Sequence, residues 1–250
     1  MYPAPEPFPG AIPLDGEYLV TPDDALPGVR RAPAPWTLHG SAWILVLRLP
    51  EALRRAPEHL TPPLRDAGFR GPSVVMFVDY RDSPAGPYRE LLYIPGRFTD
   101  RGHSAWSVTR IWVSTWESVV NGRRNWGIPK DRADFVRDKH ARGERVTVLH
   151  ERREVARLDL AAFGPAFPVT TGFVPGMLRH LVQYHGGLRY SLSLSARGRV
   201  RAAKLLAAEG GRGLFPDLAA ARTLVAVRVS RFTMTFPEAE IRPAREEERP

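Results

Sequence analysis

Short apolar runs divided by turn residues recur along the chain. Residues 43–49, Trp-Ile-Leu-Val-Leu-Arg-Leu, are almost continuously apolar and stop at Pro50, which reads as a strand buried on both faces. Residues 50–56 open as a short helix, because proline is favoured in a first turn. Residues 73–80 predict the next strand and residues 90–94 its returning partner. The intervening stretch with Pro84 and Gly86 makes the pair a hairpin. Residues 104–115 alternate loosely through Trp106, Val108, Ile111 and Val113 as one β-like stretch. Residues 117–124 predict a short helix ended by Asn125 and Gly127, and Pro129 bars Ile128 from helical backbone. Lys130 therefore follows a turn.

Further strands are expected at 135–136, 145–149, 155–160, 188–194 and 224–236. Residues 177–184 suit a short helix, and the alanine-rich 199–209 between Gly198 and Gly210 fits either state. Pro3, Pro5, Pro7 and Pro9 exclude a central strand or helix interior at the start. Residues 1–35 are thus an irregular proline-rich lead-in that drapes over the domain or joins a subunit contact. Residues 36–240 form a single domain, and 241–250 a charged tail, frayed from Pro243 onward. Many short strands with turns between them predict a mainly β protein with a few short helices, closed into a barrel or double sheet.

Cysteine is absent, which excludes disulfides, thiolate metal sites and a cysteine nucleophile. No run approaches the roughly 20 apolar residues of a membrane span, and the N-terminus has no signal-peptide apolar region. The expectation is a cytoplasmic protein without membrane contact. The net charge of +9 is spread through the chain with no block of like charge, so it predicts no nucleic-acid partner. The histidines lack metal-ligand spacing, and neither a Gly-x-Ser-x-Gly elbow nor a phosphate loop is present. Neither a metal nor a cofactor is expected. Trp43, Trp106, Trp112 and Trp116 lie in or beside expected strands, where core packing accounts for them.

Two residues stand out chemically. Lys130 is one of three lysines in a chain whose other basic residues are all arginine. An amine can lose its proton and attack a carbonyl, whereas a guanidinium stays protonated. Glu90 opens an otherwise apolar strand, a place suited to a carboxylate that moves protons.

Gly86-Pro87-Tyr88-Arg89-Glu90, then Gly122-Arg123, then Gly127-Ile128-Pro129-Lys130, with 40 positions between Glu90 and Lys130, resembles the acetoacetate decarboxylase family. The likeness spans roughly 36–240, with these motifs its specific part. It implies a largely antiparallel double β-barrel or cone and a homo-oligomer. By position it implies that Lys130 forms a Schiff base with a keto substrate and that Glu90 is the active-site glutamate. Gly122, Arg123 and Pro129 frame the lysine, with Tyr88, Trp126 and Asp131 as supporting or substrate-binding residues. Asp131 stands where the decarboxylase has a second lysine, and Arg124 where it has glutamate. An ungapped reading puts Gly40 and Val75 in place of an arginine and a second glutamate, for which Arg48 or Asp79 are the substitutes to consider. A carboxylate facing Lys130 would favour the ammonium and oppose attack. The resemblance implies a Schiff-base lyase acting on a small keto acid or ketone: a decarboxylase, or an aldolase or dehydratase. The second reading is a non-catalytic relative that binds a small molecule.

Overall fold

A computed structural model describes residues 19–173, 179–211 and 213–244. In chain order it contains β1 (Trp36–Arg48), α1 (Glu51–Arg54), β2 (Ser73–Asp82), β3 (Tyr88–Ile94), β4 (Arg97–Asp100), β5 (His103–Trp106) and β6 (Arg110–Val113). Next come α2 (Trp116–Trp126), β7 (Lys130–Arg132), β8 (Asp134–His140), β9 (Gly143–His150), β10 (Arg153–Ala162) and β11 (Phe167–Thr170). The remainder is β12 (His180–His185), β13 (Leu188–Ser193), β14 (Ser195–Gly210), β15 (Arg222–Phe236) and β16 (Glu240–Pro243). The large sheet runs β7-β6-β3-β2-β1-β15-β14-β10-β9-β8, with β11 added to β14. A second sheet runs β16-β13-β12-β5-β4.

The large sheet curls until its ends nearly meet. Arg137 of β8 pairs with Asp79 of β2, and Arg89 of β3 donates from Nη1 to the Phe135 carbonyl of β8 at 3.3 Å. Pairing is antiparallel throughout this sheet except between β6 and β7. The fold is therefore mainly β and largely antiparallel, as the sequence predicted, with two short α-helices among the described residues.

Strand alternation explains why so many strands are apolar on both faces. Val75 and Phe77 of β2 and Leu91 and Tyr93 of β3 point into one packed core. Val78 and Tyr80 of β2 and Tyr88 and Leu92 of β3 point the other way, into a second core that surrounds a cavity. The central strands are a wall between two interiors. Complete burial of a side chain such as Leu45 or Phe77 stabilises the fold by about 1.5–3 kcal/mol. In β1 the register shifts between Gly40 and Ala42. A Cβ at Gly40 would lie 2.4 Å from the Asp79 carbonyl oxygen, so no side chain fits there.

Several expectations are corrected. Residues 104–115 do not form one strand: β5 joins the small sheet and β6 the large one. Of residues 177–184, expected as a short helix, 180–184 lie in strand β12, paired along its length with β13, and 177–178 lie outside the described residues. Gly186 and Gly187 both have positive φ, the two-residue hairpin turn that fixes this pairing. Residues 199–209, left open between helix and strand by their sequence, are strand, because pairing with both β10 and β15 outweighs the helix propensity of alanine. Residues 241–243 lie in β16 and pair with β13, so Pro243 is held in a sheet rather than frayed. Within the lead-in, residues 19–35 carry one 3-10 turn, Asp23–Ala25, and no strand; residues 1–18 lie outside the described residues.

Candidate active site

The helix α2 aims the site. Thr115 caps its start, accepting from the Ser118 N–H at 3.3 Å. Gly127 ends it in the left-handed region at φ 62°, its N–H donating to the Arg123 carbonyl. Glu117 lies in the first turn and Arg123 and Arg124 in the last, each opposing the nearer end of the helix dipole. The chain then turns through Ile128 and Pro129 into β7, which lies parallel to β6 with Lys130 beside Ile111.

Lys130 faces the cavity, and its side chain is 4 % exposed. Its stem crosses the helix at Gly122, where a Cβ would come within 2.7 Å of Lys130 Cδ. The Lys130 Nζ donates to Glu90 Oε2 at 3.0 Å and to Ser118 Oγ at 3.1 Å. It also sits 5.0 Å from the centre of the Tyr88 ring, a cation–π position. Tyr80 donates its hydroxyl to Glu90 Oε1 at 3.3 Å and packs on Tyr88 with ring centres 4.5 Å apart. Burial pushes the Tyr80 and Tyr88 hydroxyls well above the usual tyrosine range, and the Glu90 charge adds to this. Both remain phenols that can donate a hydrogen bond.

Asp131 does not face Lys130. Neighbouring strand residues point to opposite faces, and Asp131 turns away toward the lead-in. It accepts from the Val20 N–H at 3.2 Å, the Thr21 N–H at 3.0 Å and Arg123 Nη2 at 3.0 Å, with Arg110 Nη1 at 3.7 Å. Arg123 is fully buried. It donates from Nε and Nη2 to the Lys130 carbonyl at 2.9 and 2.6 Å, and from Nη1 to Asp23 Oδ1 at 2.8 Å. Arg123 thus fixes the backbone of the lysine and ties it to the lead-in. Burial pushes the Asp23 carboxyl up, but His185, 2.8 Å away, and Arg123 outweigh this and hold it below the usual aspartate range. Asn121 and Asn125 bind residues 30–32 of the same segment.

Trp126 donates its indole N–H to the Pro237 carbonyl at 2.7 Å and meets Trp36 edge-on at 4.9 Å. Both rings wall a cavity of about 550 Å³. Its lining is apolar almost throughout. Among the described residues, the charged or titratable side chains apart from tyrosine are Glu90, Lys130, Arg179, His180 and Arg197. No three His, Asp or Glu side chains among the described residues converge as metal ligands would. Val75 points into the packed core, away from the cavity. Asp79 pairs with Arg89 and Arg137, and Arg48 is exposed at the end of β1. None of the three lines the cavity, so Arg48 and Asp79 do not substitute there.

The structure therefore brings Lys130, Glu90 and Tyr88 together, with Trp126 in the cavity wall. Arg123 and Asp131 lie behind the lysine backbone. Ser118 and Tyr80 were not anticipated. Tyr80 was readable, since it lies two residues from Val78, the residue opposite Glu90, and so shares its face. Nothing in the spacing of Ser118 marked it.

No protein-family model and no curated protein matches the sequence. Solved structures do. An acetoacetate decarboxylase from Legionella pneumophila aligns at TM-score 0.63 and 14 % identity, over 93 % of this chain and 97 % of that one. The enduracididine biosynthesis enzyme MppR, complexed with the condensation product of pyruvate and imidazole 4-carboxaldehyde, aligns at TM-score 0.58 and 14 % identity. That match covers 93 % of this chain and 98 % of that one. An acetoacetate decarboxylase-like enzyme from Sphingomonas wittichii aligns at TM-score 0.54 and 14 % identity, over 84 % and 93 % of the two chains. The chain has the acetoacetate decarboxylase-like fold.

Proposed function

We propose that this protein is a lysine Schiff-base lyase acting on a keto compound, with Lys130 as nucleophile and Glu90 as acid and base. The observation that supports this reading is the buried Lys130 amine, held 3.0 Å from Glu90 in the wall of an apolar cavity. The likeness in fold to an acetoacetate decarboxylase, and to a biosynthesis enzyme solved with a condensation product of pyruvate, supports it further.

Glu90 takes a proton from the Lys130 ammonium, and the free amine attacks the carbonyl carbon. A C–N bond forms, the carbonyl oxygen takes two protons, one returned by Glu90 and one passed on from the attacking nitrogen, and the C–O bond breaks to release water. The iminium carries the positive charge that the ammonium had, so Glu90 faces a cation before and after. In a retro-aldol cleavage Glu90 then takes the hydroxyl proton of the substrate's β carbon, the α–β carbon–carbon bond breaks, the β carbon leaves as a carbonyl compound, and the electron pair enters the iminium to give a neutral enamine. Protonation of the enamine carbon and hydrolysis restore the lysine. Tyr80 and Tyr88, held as phenols, orient Glu90 and cover the amine.

The walls beside Lys130 bear on the kind of bond broken. Gly40 admits no side chain and Val75 faces the other core. Aldol, retro-aldol or dehydration chemistry, which expels no carboxylate, suits this cavity better than decarboxylation. The second reading, a non-catalytic binder, draws on the same ion pair, since a lysine kept as ammonium does not attack. Incubation with a panel of carbonyl compounds, borohydride reduction and intact-mass measurement separates the two. The lyase reading expects a covalent mass gain that Lys130→Ala abolishes; no gain with any compound would favour the binder.

A further inference from the structure

We propose, building on the Schiff-base reading of Lys130, that the site takes a hydrophobic aldehyde or ketone. Its carbonyl is borne on an apolar chain, with no carboxylate beside it. The small keto acid implied by the resemblance does not fit the charges around the lysine.

In a small keto acid the carboxylate sits on the carbonyl carbon or on the next one. With the carbonyl at Lys130, that carboxylate would meet Val78, Leu92, Ile111 or Ile128. It would also approach Glu90, a like charge. Lys130 itself is already paired with Glu90 and becomes the iminium. The nearby guanidinium groups of Arg110 and Arg123 turn to Asp131, on the far side of β7. A carboxylate buried there would share the single Lys130 cation with Glu90, leaving two carboxylates to one positive charge in an apolar wall, which is unfavourable.

The other cations of the lining lie on a different wall. Arg197 is on β14, four strand spacings from Glu90 on β3 through β2, β1 and β15. That is about 19 Å along the curved sheet at the usual strand separation. Arg179 and His180 enter with the second sheet. These groups sit on walls other than β3 and β7, where they can meet an anion at the far end of a long molecule. Between the two ends the wall is Ile44, Met76, Val229, Phe232 and Met234. A cavity of about 550 Å³ falls within the range that encloses drug-sized ligands. A small keto acid would leave most of these walls without contact, whereas an alkyl chain fills them.

The test measures half-saturation for borohydride-trapped adducts of the full-length protein. The probes are methyl ketones of increasing chain length, from acetone upward, with pyruvate and acetoacetate in parallel. Binding without reduction is read from quenching of Trp36, Trp106 and Trp126, which line the cavity. Each buried methylene should tighten half-saturation about fourfold, giving roughly 100-fold or more between acetone and pentyl methyl ketone. Ala42→Phe, which fills part of the cavity, should shorten the preferred chain. Pyruvate or acetoacetate trapped as well as the longer ketones would overturn the substrate class and leave the Schiff base standing. Chain-dependent quenching with no adduct would keep the hydrophobic ligand and overturn the Schiff-base reading. Absence of both signals would overturn the two together.

Discussion

Lys130 and Glu90 flank the same strand from opposite sides. Glu90 on β3 is paired with Val113 of β6, and Lys130 on β7 lies beside Ile111 of β6. Residues 111 and 113 share a face, so both side chains emerge into the cavity and meet at 3.0 Å. The pair is a product of sheet register, and it is nearly sealed from water. Glu90→Gln removes the group that moves protons, and should lower turnover by about 10²–10⁴-fold. Steady-state kinetics on any accepted substrate check this.

The same pair has a stability signature. Lys130→Met alone strands the Glu90 charge in the wall and should cost about 3 kcal/mol or more. Combining it with Glu90→Gln removes both charges and should restore stability to within about 1 kcal/mol of wild type. Urea denaturation of the two single variants and the double variant gives the coupling. Additive losses would show that the two charges do not interact.

Gly122 makes room for the lysine stem. A Cβ there would lie 2.7 and 2.8 Å from Lys130 Cδ and Cε. Gly122→Ala favours the helix by about 1 kcal/mol through backbone entropy yet displaces the amine. Thermal stability should change little, while Schiff-base formation should fall by about 10²-fold, since small misplacements of reacting groups are costly. Trapping rate and Tm, measured together, should part company.

Asp131 behaves as an anchor of the lead-in, not as a modulator of Lys130. Asp131→Asn should lower stability by about 1–3 kcal/mol, because Arg123 loses one of two carboxylate partners. The pH dependence of trapping at Lys130 should stay where it is in wild type. A displaced profile would mean that Asp131 acts on the amine after all.

This contrast shows where the sequence was legible. Lys130 and Glu90 could be found because a rare lysine after a turn and a carboxylate opening an apolar strand match a known pair of motifs. The direction of Asp131 was not legible, since it depends on whether residue 131 continues a strand and thus alternates. Gly186-Gly187 did carry a hairpin signal for β12 and β13, but the short apolar segment before it fits helix and strand alike. The small sheet takes β4 and β5 from one part of the chain and β12, β13 and β16 from distant ones; local pattern does not encode such pairing. The two-sided burial of residues 43–49 was readable, but that the two faces belong to a packed core and a cavity was not.

His59 gives the fold a pH dependence of its own. It is buried, and its Nδ1 has no hydrogen-bond partner among the described residues. Burial, helped by the Arg110 charge, pushes it down to about 4 from 6.5. The unfolded chain therefore binds a proton between these values that the folded chain refuses. Stability is full above pH 6.5 and falls as pH drops toward 4, by on the order of 3 kcal/mol. His59→Leu should flatten that part of the stability profile, as measured by urea unfolding at a series of pH values.

The most direct test of the central claim uses the three lysines as mutual controls. Lys139 and Lys204 are exposed, whereas Lys130 is buried against Glu90 and Ser118. The protein is incubated at neutral pH with a hydrophobic methyl ketone, reduced with borohydride, and mapped by peptide mass spectrometry. A Schiff-base enzyme gives saturable modification at Lys130, with Lys139 and Lys204 left largely unmodified. Modification confined to Lys139 and Lys204, with Lys130 intact across the whole carbonyl panel, would contradict it.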